Sequence, residues 1–144
     1  MIPTQYRQFC IGIIFSLIAI IIACAEVKSA PTDTSYVLSQ AAEQYVKLGL
    51  ELGEYDKDYV DAYLGPDEWK KNAKDQLRSK QQLASDISQL LQKLKNIDVV
   101  QQHLKLRHKA LFRNVRAMEV RARMLLGEKF SFAEEARLIY DVKI

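Results

Sequence analysis

Cysteine, proline, histidine and tryptophan are all scarce in these 144 residues: two, three, two and one, respectively. Both cysteines, Cys10 and Cys24, fall within one apolar run near the N-terminus, so the rest of the chain has no disulfide and no cysteine metal site. It must be held by packing. No proline follows Pro66, and Gly127 is the only glycine after Gly65, which leaves little to interrupt helices in the C-terminal half. His103 and His108 are five residues apart, whereas a helical zinc motif needs two histidines at i and i+4 with a glutamate between them. His108 falls on an apolar stripe and reads as a partly buried packing residue. There is no glycine-rich phosphate loop, no serine in a nucleophile elbow and no HExxH. These absences argue against a catalytic centre made from this chain alone, and no catalytic, cofactor-binding or metal-ligating residue is assigned.

What is present begins with export. Residues 9–25 form an unbroken apolar run of 17 residues, preceded by Arg7 and ending on Ala23-Cys24-Ala25. A positive start, an apolar middle and small residues at the end make a secretory signal. The run is also at the lower limit of a membrane span, roughly 17–25 residues. Three outcomes stay open. Ile21-Ile22-Ala23-Cys24 resembles a lipobox, in which Cys24 is lipidated and becomes the new N-terminus. Ala23-Cys24-Ala25 also fits ordinary cleavage and release, and an uncleaved run would anchor the chain. Residues 26–35 are polar and contain Pro31, a composition suited to a tether. The expected organisation is thus a signal or anchor at 1–25, a tether at 26–35 and a helical domain at 36–144. The expected location is the cell envelope, membrane-anchored or free outside the cytoplasm.

Charge is unevenly placed. The net charge is +3, and loss of Arg7 with the signal leaves the body near +2, which is no nucleic-acid signature. Residues 51–68 hold seven acids against Lys57, and residues 105–123 hold seven bases against Glu119. Either the two stretches neutralise each other in the fold, or the basic one meets anionic lipid headgroups.

The body reads as all-α, an irregular bundle of about five to six helices, because no stretch alternates with period two. Asp33, Thr34 and Ser35 offer caps for a first helix over 34–52, with Val37, Ala41, Tyr45, Leu48 and Leu52 on one face and Gly53 at its end. Asp56 is expected to open a short helix through Leu64. Pro66 then suits the first position of a helix carrying Trp69, Ala73 and Leu77. The polar run 78–82 interrupts it. Leu83, Ile87, Leu90, Leu91 and Leu94 form the next stripe, ending near Asn96. Asp98 can cap the longest helix, over 99–126, whose heptad-like seam is Leu104, His108, Leu111, Val115, Met118, Ala122 and Leu125. That seam can pack within the bundle, against a partner protein, or against further chain. Gly127 fits a left-handed cap, and Ser131-Phe132-Ala133-Glu134 is a capping box opening a last helix.

Two constellations suggest chemistry and weaken on inspection. Asp56, Asp58 and Asp61 resemble a calcium loop, but Val60 stands where a ligand is needed, Asp61 where glycine is needed, and position 67 is aspartate rather than the closing glutamate. Tyr45, Tyr55, Tyr59, Tyr63 and Trp69 could line a carbohydrate or peptide groove, although such rings more often border a core.

Residues 45–69, with Asp61-Ala62-Tyr63-Leu64-Gly65-Pro66 at their centre, are similar to the opening of a group of longer uncharacterised bacterial exported helical proteins. Residues 123–135, with Gly127-Glu128-Lys129-Phe130-Ser131-Phe132-Ala133-Glu134-Glu135, resemble a second block of that group in the same order and spacing. Some members look related to zinc metallopeptidases that carry a histidine-glutamate motif in their later half. The resemblance implies that this chain corresponds to the N-terminal helical part of a longer hydrolase-like protein, inactive alone. None of the matching positions is a ligand or base. The other reading is a complete small envelope lipoprotein that acts as a binding or scaffold module.

Overall fold

The computed structural model describes residues 33–142. The apolar run, Cys24 and most of the expected tether lie outside the described residues. Five helices follow in order: α1 (Thr34–Tyr55), α2 (Asp67–Asp75), α3 (Lys80–Lys95), α4 (Gln102–Leu125) and α5 (Phe132–Ile139). The fold is all-α, and no strand occurs among the described residues. None of these helices is long and apolar enough to cross a membrane.

The core lies where α1, α3 and α4 meet. Leu38, Leu48 and Leu52 from α1 pack with Leu83, Ile87, Leu90 and Leu94 from α3 and with Leu104, Leu111, Val115, Met118 and Ala122 from α4. The α4 seam packs within the fold against α3 and α1, with His108 and Leu125 only half-buried at its edges. His108 sits at its edge as a packing residue. One ring nitrogen lies 2.8 Å from the Leu94 carbonyl oxygen, and the ring stacks near Phe112. By contrast, α2 rests on α1, and α5 rests on α4.

Local chemistry sets several boundaries. Asp33 caps α1 by accepting from the Ser35 amide at 2.9 Å. Ser79 does the same for α3 through the Gln82 amide. The polar run is thus only half an interruption: the break covers 76–79, and Lys80 to Gln82 are the first turn of α3. Leu77 falls past the end of α2 and is exposed rather than striped with Trp69 and Ala73. Pro66 is the N-cap of α2, one residue before its expected place. Gly127, at φ 94°, ends α4 with the Glu128 amide on the Arg123 carbonyl and the Gly127 amide on the Met124 carbonyl, a Schellman pair. The Ser131–Glu134 capping box starts α5 as its sequence implies.

Three expected boundaries are corrected. The tether loses its last residues, because the helix begins at Thr34. The long helix starts at Gln102 with no side-chain cap, and Asp98 does not cap it. Ile97 and Val99 pack against the core instead, which draws the α3–α4 link into a non-helical path. Residues 56–66 are a loop rather than a short helix. A helix of nine residues is marginal without packing; Asp56 accepts from the Asp58 amide on one oxygen and pairs with Arg121 of α4 through the other, and the chain leaves the turn there.

Gly53 does not end α1, which runs on to Tyr55. Its role is steric: a Cβ there would lie 2.9 Å from Val60 Cγ2, where the loop returns across the helix. Gly49 differs, since a Cβ would meet Tyr59 Cε1 at 3.7 Å and Met118 Sδ at 4.0 Å, ordinary contact distances. Gly49→Ala is therefore expected to stabilise the fold by up to about 1 kcal/mol through helix propensity. Gly53→Ala is expected to gain nothing or to destabilise, because the Val60 overlap offsets the same propensity. Urea titration of the two variants checks this, and equal stabilisation by both would refute the steric role of Gly53.

Candidate functional site

The loop 56–66 and α2 both fold back on α1, and two clefts open beside that helix. One is polar and the other aromatic.

The polar cleft has a volume of about 450 Å³ and lies between α1 and α2, lined by Lys47, Glu51, Trp69, Asn72, Ala73, Gln76 and Arg78. Lys47 and Arg78 also line a neighbouring hollow with Gln40, Glu43, Gln44 and Leu48. Glu51 is the one buried charged residue among the described residues, only 5% exposed. Its neighbours Leu48, Gly49, Leu50 and Leu52 are buried as well, so α1 is enclosed on all sides over this stretch. A carboxylate there needs a partner, and Arg78 provides one. Arg78 Nε donates to one Glu51 oxygen at 3.0 Å and Nη2 to the other at 2.5 Å, a bidentate fork. Its Nη1 donates to Asp86 of α3 at 2.5 Å. Partial burial works against the charge on Arg78, but the hydrogen bonds to Glu51 and Asp86 outweigh it and hold the guanidinium above its ordinary range. The Tyr55 hydroxyl donates to the Arg78 carbonyl. Lys47 is engaged too, with Glu43 at 2.6 Å and its ammonium 4.8 Å above the Trp69 ring.

The aromatic cleft, of about 540 Å³, is formed by Tyr45, Val46, Gly49 and Leu50 of α1 and by residues 59–63 of the loop. It brings Tyr45, Tyr59 and Tyr63 together. Tyr55 and Trp69, expected with them, belong to the polar side instead. Burial, and then the adjacent Tyr45 hydroxyl, push the Tyr59 phenol well above its usual range, so it stays neutral. Its ring packs against the core.

Neither cleft pairs a nucleophile with a base. No group of three or more His, Cys, Asp or Glu side chains that could hold a metal occurs among the described residues. Asp56, the first residue of the calcium-like run, pairs with Arg121, while Asp58 and Asp61 are exposed. His103 is exposed and lies apart from both clefts.

The structure also sorts the basic stretch. Arg121 pairs with Asp56, Arg116 with Asp141 at 2.9 Å, and Arg123 with Glu119 and Glu128. Of these, only Arg121–Asp56 joins the basic stretch to the acidic one, so the two do not neutralise each other. The sequence reading missed the Glu51–Arg78–Asp86 network, having taken Glu51 only as one of the seven acids over 51–68. The available signal was the run Leu48-Gly49-Leu50-Glu51-Leu52, a glutamate enclosed by leucines. No family model matches the chain, and no curated protein or solved structure matches it either.

Proposed function

We propose that this chain is the exported, lipid-anchored helical scaffold part of a longer hydrolase-like protein, without a reaction centre of its own. The observation that carries the scaffold reading is the fate of Glu51. The one buried charge among the described residues is committed on both oxygens to Arg78 and joins α1 to the α2–α3 link and α3. Ion pairs used in this way fix helices in place and leave no free acid or base in the cleft. The apolar exposure at the far end supports further packing. Phe132 is 80% exposed, and Tyr140 and Val142 are exposed beside it on and after α5. Phe132 shares a helix face with buried Ala136 and half-buried Ile139, at i+4 and i+7, so further chain laid there would extend an existing packing face.

The anchor reading rests on the lipobox-like residues ending at Cys24 and on the polar segment after them. The second reading, a complete small envelope lipoprotein serving as a binding or scaffold module, draws on the closed core of α1, α3 and α4, in which Leu38, Leu52, Ile87, Leu94, Val115 and Met118 are fully buried. Mass spectrometry of the native product tests both. The expected result is an N-terminal peptide beginning at a diacylated Cys24, a membrane-bound product, and loss of the lipid in Cys24→Ser. An unmodified N-terminus and a product in the soluble fraction would overturn the anchor. A product ending at Ile144 favours the small module, and one continuing past it favours the scaffold of a longer protein.

A further inference from the structure

From the solvent face of α4, we infer a contact surface for anionic lipid headgroups. Lys105, Lys109 and Arg113 follow one another at steps of four, which sets them in a row along one side of the helix. All three are exposed. The opposite side of α4 is the buried seam of Leu104, Leu111, Val115 and Met118, so the row is held outward by the core itself. Within the described residues, no carboxylate lies in ion-pair range of these three cations, whereas Arg78, Arg116, Arg121 and Arg123 all have one. Asp141, the ion-pair partner of Arg116, feels this row from one end. Its carboxyl is held below the usual range first by its hydrogen bond from Arg116, with weaker attraction from Arg113 and Lys109. With Asp141 matched by Arg116, Lys105, Lys109 and Arg113 leave the face positive.

Apolar side chains stand among the cations. Leu106 is 78% exposed within the row, with Ala110 one turn further on the same side. Cations flanking an exposed leucine on a rigid helix suit a bilayer surface, where lysine and arginine meet headgroup phosphates and the leucine enters the interface. This inference is read from α4 and Asp141 and does not depend on lipidation at Cys24.

The test uses the full chain carrying Cys24→Ser, so that acylation is absent from every arm. Partition is measured onto vesicles of neutral phosphatidylcholine and onto vesicles containing about 30% phosphatidylglycerol. The apolar run and Arg7 contribute to all variants alike, so the anionic-to-neutral ratio isolates the face. Each cation near such a surface adds roughly fivefold, and three together about a hundredfold. The parent ratio is expected to be large and to collapse with added salt. Lys105→Gln, Lys109→Gln and Arg113→Gln combined should remove most of it. A control with Lys70→Gln, Lys71→Gln and Lys74→Gln removes equal charge from the exposed side of α2 and should leave the ratio near that of the parent. Far-UV circular dichroism confirms that both triple variants remain helical. A parent ratio near one, an unchanged ratio in the α4 variant, or equal losses in both triple variants would overturn the inference.

Discussion

Arg78→Met is expected to lower stability by about 2 kcal/mol, and Glu51→Leu added to it is expected to restore most of the loss. Removing one partner of a buried pair costs roughly 3–5 kcal/mol, because the other charge stays buried without compensation. The lower figure applies here because the Arg78 side chain is 34% exposed and water screens part of the interaction. In Arg78→Met the Glu51 carboxylate stays buried at the wall of the polar cleft without its donor, and Asp86 loses its partner as well. The second substitution removes the stranded charge and puts a good helix former among the leucines. Replacing a buried pair by apolar residues is often neutral or stabilising. The Tyr55 bond to the Arg78 carbonyl persists throughout, since it uses the backbone. Urea unfolding of the two single variants and the double variant decides the matter. A double variant no more stable than Arg78→Met would place the stabilisation in the packing of the arginine stem rather than in the charges.

Leu52→Ala is expected to cost about 3 kcal/mol, within the 2–5 kcal/mol range for a leucine truncated in a core. Leu52 is fully buried where α1 faces both α3 and α4. Its loss leaves a void that three helices cannot close at once. At roughly 4 °C per kcal/mol for a body of this size, Tm falls by about 12 °C. Leu106→Ala on the open face of α4 is the matched control and should change stability by less than about 0.5 kcal/mol. Comparable losses from the two would mean that α4 is turned differently from its described orientation.

The helices that were legible in the sequence are those with one packing face. In α3, Leu83, Ile87, Leu90 and Leu94 are buried and Leu91 half-buried, and the α4 seam closes as its spacing implies. On α1, Ala41, Leu48 and Leu52 are buried as expected and Tyr45 packs half-buried against the core, but Leu38 takes the place expected of Val37. A helix enclosed by α2, α3 and α4 has no single stripe, and a period of 3.6 cannot describe it. The same enclosure hid Glu51. Over 56–64 the Asp56 carboxylate does accept from the Asp58 amide, but only one turn follows, while its other oxygen is held by Arg121, 65 residues away. Local pattern cannot register such a partner. The aromatic group also divides: Tyr45, Tyr59 and Tyr63 line one cleft, Trp69 lines the other, and Tyr55 turns its hydroxyl to the Arg78 carbonyl, an arrangement set by the return of the loop. Residues 1–32 bear the export and lipidation readings and lie outside the described residues.

The stretch from Gly53 to Pro66 has a consequence for how such sequences are compared. Gly53 admits Val60, the Tyr63 ring folds over Gly65 with its hydroxyl donating to the Pro66 carbonyl at 3.3 Å, and Pro66 begins α2. Each of those residues is explained by the shape of a chain reversing on a helix. Similarity across this block is therefore a signature of geometry. Two proteins can share it as two buildings share a staircase, with no inference owed about what is done on the floors above.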